Sequence, residues 1–203
     1  ITLNMNGTKI LDTSKDQAKE NDLIYLTKPL GVGFLMSAFV NNAKGVSTSI
    51  YEKVLNNMLI SNKKAYEISK NFNGKALTDI SGFGLAAHLI DICLNSDLTA
   101  NLILNKKIII AECLSELKLF QSSAYEDNRE SSIHHIKMMS EKNLDISNLS
   151  KILFDPQTSG PLLISISSDQ RESFENEFET YYSFRPLLIG KFQTKKEFAI
   201  EIN

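Results

Sequence analysis

Leu162-Leu163-Ile164-Ser165-Ile166, then a helical stretch from Asp169 to about Tyr181, then two apolar runs at 186–192 and 197–202, decide the fold. The first run is short and apolar, the pattern of a strand covered on both faces. In the helical stretch Phe174 and Phe178 stand four residues apart and so share one face, with Asp169 as the expected cap. The last two runs flank Lys195-Lys196 and read as an antiparallel hairpin. Strand, helix and two closing strands in that order argue against an all-parallel, doubly wound sheet. They predict an α+β fold: an α/β sandwich whose mixed or antiparallel sheet is covered by helices.

The rest of the chain alternates in the same way. Leu23-Ile24-Tyr25-Leu26 reads as a buried strand closed by Pro29 and Gly31, with a short helix over 34–40. Residues 47–60 carry Ile50, Val54, Leu55 and Met58 at helical spacing. A second helix runs from an Asn62 cap to Phe72 and stops at Asn73-Gly74. Residues 75–80 return to strand, and 82–94 form a strong helix with Leu85, Leu89, Ile92 and Cys93 on one side. Residues 98–104 read as a strand, 109–119 as a helix, 121–129 as irregular, 132–139 as a short helix, and 144–153 as a helix or turn. The first residues, Ile1 to Met5, alternate weakly as a strand, and 9–21 is a polar connection.

The chain has 203 residues, 22 Lys+Arg against 24 Asp+Glu, and 42% hydrophobic residues. That length and apolar content support a sizeable core and exclude general disorder. A net charge of -2 gives no basic excess for phosphate-backbone binding, so no nucleic-acid partner is expected. No apolar run approaches a membrane span of ~20 residues, and no targeting signal is visible, so neither membrane nor export is expected. Cys93 and Cys113 read as buried thiols of a reduced, cytoplasmic protein.

Three loops are dense in Gly, Pro, Thr and Asp: Thr27-Lys28-Pro29-Leu30-Gly31-Val32-Gly33, Thr78-Asp79-Ile80-Ser81-Gly82-Phe83-Gly84, and Phe154-Asp155-Pro156-Gln157-Thr158-Ser159-Gly160. In the second, Gly82 and Gly84 let amide groups approach an anion at a helix N-terminus, and Asp79 precedes them as an oxygen ligand for Mg²⁺. The same spacing fits Asp79 as an N-cap, with glycines that permit tight strand–helix packing. In the first, Gly31 and Gly33 could cradle phosphate with Lys28 as counter-charge, or merely connect strand to helix; the Walker pattern is absent. The third reads as a set of turns when taken alone. His88 reads as a half-buried structural histidine. No Cys/His spacing supports zinc, and no nucleophile triad is visible.

Taken together the three loops resemble the C-terminal domain of selenophosphate synthetases (selenide, water dikinases). Segment 22–33, the Thr78-Asp79-Ile80-Ser81-Gly82-Phe83-Gly84-Leu85-Ala86-Ala87-His88 helix motif and Asp155-Pro156-Gln157-Thr158-Ser159-Gly160 occur in the family's order and spacing. The resemblance implies the C-terminal α/β sandwich of the superfamily that includes aminoimidazole ribonucleotide synthetase. It implies a domain over 22–203, preceded in 1–21 by the last strand of an N-terminal domain and a connection. It implies conversion of ATP, selenide and water to selenophosphate, AMP and orthophosphate, with ATP and Mg²⁺ bound and a homodimer at full length. Asp79 falls on a metal-binding aspartate of the family. The nucleotide or phosphate would lie against Lys28, Gly31, Gly33, Gly82, Gly84, Asn128, Thr158, Ser159 and Gly160. No catalytic residue is expected within this segment, because the family's reactive Cys or selenocysteine belongs to the N-terminal half, and the isolated chain is expected to be inactive. Pro161 stands where the family has a second Gly. If that N–H touched phosphate, binding would be altered. Two alternatives are another ATP-using member of the superfamily and a degenerate domain that binds nucleotide or a partner.

Overall fold

The computed structural model describes residues 14–41, 47–74, 76–110, 121–138 and 149–203. Seven strands form one sheet: β1 (Leu23–Leu26), β2 (Leu77–Asp79), β3 (Leu98–Leu102), β4 (Ile136–Met138), β5 (Leu162–Ile166), β6 (Leu187–Thr194) and β7 (Ile200–Ile202). Their order across the sheet is β2-β5-β1-β6-β3-β7-β4. Pairs β1–β5, β1–β6, β2–β5 and β3–β6 are antiparallel, while β3–β7 and β4–β7 are parallel. The sheet is therefore mixed and mostly antiparallel, as expected.

Helices cover both faces where the central strands lie. Along β1, Ile24 and Leu26 enter one core and Tyr25 the other. The larger core takes residues from α1 (Val32–Val40), α2 (Thr48–Leu59), α4 (Gly84–Ser96) and α5 (Tyr125–Ser132). The smaller is built by α3 (Asn62–Asn71) and α6 (Arg171–Tyr182), with Phe174 and Phe178 fully buried against Ile164 and Ile166. Burial on both faces is why β1 and β5 read as runs that are apolar but for Ser165.

The expected C-terminal hairpin does not form. β3 lies between β6 and β7, because the turn is bridged by β3 instead of closing on itself. Thr99 Oγ1 donates to the Phe198 carbonyl at 2.8 Å and accepts from Lys196 N at 2.8 Å, and Ala100 N donates to Ala199 O at 2.8 Å.

Other elements differ from the sequence reading. The stretch 121–129, expected to be irregular, starts α5, because Tyr125 packs its ring 5.6 Å from Phe34 and 6.0 Å from Phe154. Of the helix expected over 132–139, residues 132–138 are the last residue of α5, one 3-10 turn at Ile133–His135, and β4, where Ile136 pairs with Ile200, and Met139 lies outside the described residues. A three-residue strand carries no usable alternation. Ser61, not Asn62, caps α3 through its Oγ, which accepts from Lys63 N at 3.2 Å. The stop of α3 is as expected: Asn73 takes the left-handed region at φ 50, and Gly74 N donates to Ser69 O at 2.9 Å. Asp169 caps no helix; its carboxylate accepts from Ser167 Oγ, and α6 begins at Arg171. Ile109 is extended and bridges Leu30, so the helix expected at 109–119 does not start there. The rest of that segment, the strand at Ile1 to Met5, and Cys113 lie outside the described residues. Cys93 is buried, and burial pushes its thiol up to about 12, so it is inert. No helix among the described residues is long and apolar enough to cross a membrane.

Candidate functional site

Antiparallel pairing brings the end of β1, the end of β2 and the start of β5 to one edge, with Leu26 opposite Leu163 and Asp79 opposite Leu162. All three motif loops therefore meet there, and hydrogen bonds lock them. Thr27 N donates to Leu162 O at 3.1 Å, Ile80 N to Pro161 O at 2.9 Å and Gln157 N to Ser81 O at 3.1 Å.

Two helices begin at this junction, and their N-termini differ. At α1 the free amide donors are met from within the protein. Gly31 N and Val32 N donate to Gln157 Oε1 at 3.3 and 3.4 Å, and Gly33 N donates to Asp155 Oδ2 at 3.1 Å. Gln157 Nε2 donates to the same Asp155 oxygen at 2.7 Å. Gly31, at φ 116, needs glycine's freedom to make this turn. Gly31 and Gly33, expected against phosphate, thus present their amides to side chains of the third loop.

At α4 the junction is open. Phe83, its N-cap residue, makes no side-chain cap, and Gly82 N and Phe83 N have no acceptor among the described residues. Gly82 is exposed, and a Cβ added there would meet nothing within 4 Å. Gly84 differs: it sits at φ +76, and a Cβ added there would lie only 2.8 Å from Leu153 O, so its glycine serves close packing. Asp79 ends β2 exposed, and its carboxylate has no hydrogen-bond partner among the described residues. The capping alternative for Asp79 is overturned, since α4 starts five residues later.

The remaining site residues join loops together. Asn128 is buried, and its Nδ2 donates to Gly82 O at 2.8 Å and Phe154 O at 3.0 Å, fastening the second loop to the third. Ser159 Oγ donates to Met58 O at 2.6 Å, and Gly160 O accepts from Asn62 Nδ2 at 2.8 Å. Thr158 is exposed. Lys28, expected as a counter-charge, is buried; its ammonium donates to Asn57 O at 3.1 Å and Ile60 O at 2.9 Å, closing the C-terminal end of α2. Burial pushes its pKa down to about 8.

Sequence reasoning missed Asp155 and Gln157 as the acceptors of α1, and missed the α2–α3 corner that holds Lys28, Ser159 and Gly160. Partners that lie from 29 to 126 residues apart in the chain leave no local signal.

Burial raises the Asp155 pKa to about 8, against the lowering pull of Gln157 and the Gly33 and Phe34 amides. The folded state therefore favours the protonated acid, and ionisation costs stability as pH rises from the unfolded value of about 4 toward 8. Asp155→Asn keeps an acceptor and cannot ionise. Its melting temperature relative to wild type should shift upward between pH 5 and pH 8 in calorimetric scans. A constant difference would show that Asp155 is ionised throughout.

Pro161 sits where β5 meets the end of β2. Its carbonyl accepts from Ile80 N, so a non-proline N–H there would face the Ile80 carbonyl in the reciprocal pair of an antiparallel ladder. Pro161→Gly should leave nucleotide affinity unchanged by titration calorimetry; tighter binding would place that amide on phosphate.

The family model for AIR synthase related protein, C-terminal domain, matches residues 19–202. The chain belongs to this family. Among curated relatives, a selenide, water dikinase of Caldanaerobacter subterraneus is 29% identical over 91% of this chain and 52% of its own length. One of Shewanella baltica is 32% identical over 88% of this chain and 49% of its own. This member of the AIR synthase related family thus spans about half the length of the curated relatives it matches. The solved structure of AaThiL complexed with AMPPCP and TMP shares the fold, at a TM-score of 0.59 and 14% identity over 94% of this chain and 50% of that one.

Proposed function

We propose that this chain is the C-terminal part of a selenide, water dikinase, turning ATP, selenide and water into selenophosphate, AMP and phosphate, and that it supplies one wall of the Mg²⁺·ATP site. The observation that carries this reading is the contrast between the two helix N-termini at the motif junction. The donors of α1 are satisfied internally, whereas among the described residues the first amides of α4 and the exposed carboxylate of Asp79 have no partner.

Two free amides at a helix N-terminus attract phosphate oxygens. A carboxylate next to them suits Mg²⁺, which is commonly held by one or two carboxylates plus phosphates and water. Asp79 fits such a role. Among the described residues no group of three His, Cys, Asp or Glu could hold a metal alone, so this chain would contribute a single ligand. The ion would neutralise charge on the transferring phosphoryl group; the chain's own part is to hold phosphate on Gly82 N and Phe83 N and to orient Asp79. The remaining ligands, the groups that handle selenium and the surface of a homodimer are assigned to the other half of a full-length protein. The curated names favour this reading over another ATP-using relative. The degenerate-domain alternative rested on Pro161 and on the absent half, and the position of Pro161 beside Ile80 weakens the first of these.

Gly82 tests the reading. With open space around it, Gly82→Ala should leave the melting temperature of the full-length protein within about 2 °C. Its methyl group would crowd the approach to Gly82 N and should raise the apparent KM for ATP by about tenfold, the loss of one charge-assisted hydrogen bond. An unchanged KM would remove the phosphate from this amide.

A further inference from the structure

His88 stands on α4, seven residues after Ser81 and half-buried. Its Nε2 lies 3.3 Å from Ser81 N and 3.1 Å from Ser81 Oγ. A main-chain N–H can only donate, so Nε2 must accept. That fixes a neutral ring with its proton on Nδ1. Burial, then the charge of Lys15, hold the ring's pKa below its ordinary value, while Asp79 and Asp91 pull it upward.

Ser81 is thereby gripped at both ends of its backbone unit. Its amide goes to His88, and its carbonyl accepts from Gly84 N at 3.0 Å and Gln157 N at 3.1 Å. Asp79 lies two residues before this point and Gly82 directly after it. Neither the Asp79 side chain nor the Gly82 amide has an anchor of its own among the described residues. The β2–β5 ladder holds the Asp79 backbone and Asn128 holds the Gly82 carbonyl, and between them the Ser81 grip sets the orientation of the peptide that carries the Gly82 amide.

We propose that His88 is a positioning residue: its Nε2 holds the Ser81 amide and so sets where Asp79 and the Gly82 amide face a metal–nucleotide ligand. This rests on the reading of Asp79 and Gly82 under the proposed function. It assigns the imidazole an acceptor's role in shaping the site, with no part in proton transfer.

Two variants separate positioning from simple packing. His88→Leu fills the space and removes the acceptor, and His88→Gln keeps an acceptor oxygen. In full-length protein, amide exchange of the peptide covering residues 78–85 should speed up by about tenfold in His88→Leu, the scale of one lost hydrogen bond, and little in His88→Gln. The Mg²⁺ concentration for half-maximal ATP turnover should rise by about tenfold in His88→Leu, with turnover recovering at saturating Mg²⁺, and stay within about twofold in His88→Gln. Exchange and Mg²⁺ dependence both within about twofold of wild type in His88→Leu would overturn the proposal. So would equal effects of the two variants, which would mark a packing role alone. Asp79→Ala is the control for the underlying reading. If it leaves the Mg²⁺ dependence intact, Asp79 is no ligand and the proposal falls with it; the exchange result then decides only whether the clasp exists.

Discussion

Gly33→Ala should be among the most damaging single-methyl changes available in this chain. Gly33 lies in the first turn of α1, where helix propensity alone would make alanine the better residue by about 1 kcal/mol. The structure reverses that sign. A Cβ at Gly33 would lie 2.3 Å from Asp155 Oδ1 and 2.4 Å from the Pro156 carbonyl. Neither neighbour can retreat freely. Asp155 is fully buried and held by Gln157, and Pro156 belongs to the backbone of the locked third loop. Relief would separate the third loop from α1 and strip acceptors from the amides of that helix. Overpacking plus lost acceptors should cost about 3–5 kcal/mol, or roughly 10 °C in melting temperature for a domain of this size. A scanning calorimetry trace close to wild type would mean that the first and third loops are not in the contact described.

Much of this arrangement was legible in the sequence, and the rest was not for identifiable reasons. β1 and β5 could be read because burial on both faces leaves runs that are apolar but for Ser165. The three motif loops could be placed at strand ends by their Gly, Pro and Asp content. That they share one edge followed only from the family resemblance, because strand pairing is a relation between distant segments. The same distance hid the insertion of β3 between β6 and β7. Local spacing favoured a hairpin there, whereas β3 pairs with β6 on one side and β7 on the other. α5 was invisible because its sequence, Tyr125-Glu126-Asp127-Asn128-Arg129-Glu130-Ser131-Ser132, is polar apart from one ring. What stabilises it is tertiary: Tyr125 between two phenyl rings and Asn128 between two loops. Among the site residues, composition identified loops rich in donors and acceptors without telling which groups were already spoken for. Lys28 and Gly31 looked like phosphate ligands because charge and glycine are what such ligands need. In the fold, a helix end and a buried glutamine satisfy them first. The Asp79 carboxylate and the Gly82 amide differ from them in having no partner among the described residues.

That difference is the centre of the functional account, and Asp79→Ala tests it most directly. The Asp79 carboxylate is exposed, caps no helix and has no hydrogen-bond partner among the described residues, so its removal should leave the melting temperature of the full-length protein within about 2 °C. If it holds the metal at the phosphates, Mg²⁺-dependent, selenide-dependent release of AMP from ATP should fall by about a thousandfold or more, the scale of losing a group that stabilises transition-state charge. The measurement is AMP release over a Mg²⁺ titration, paired with calorimetry on the same samples. Normal melting with lost turnover is the expected result. Turnover within about tenfold of wild type at the same Mg²⁺ dependence would contradict a metal role for Asp79 and, with it, the assignment of the open end of α4 to the nucleotide.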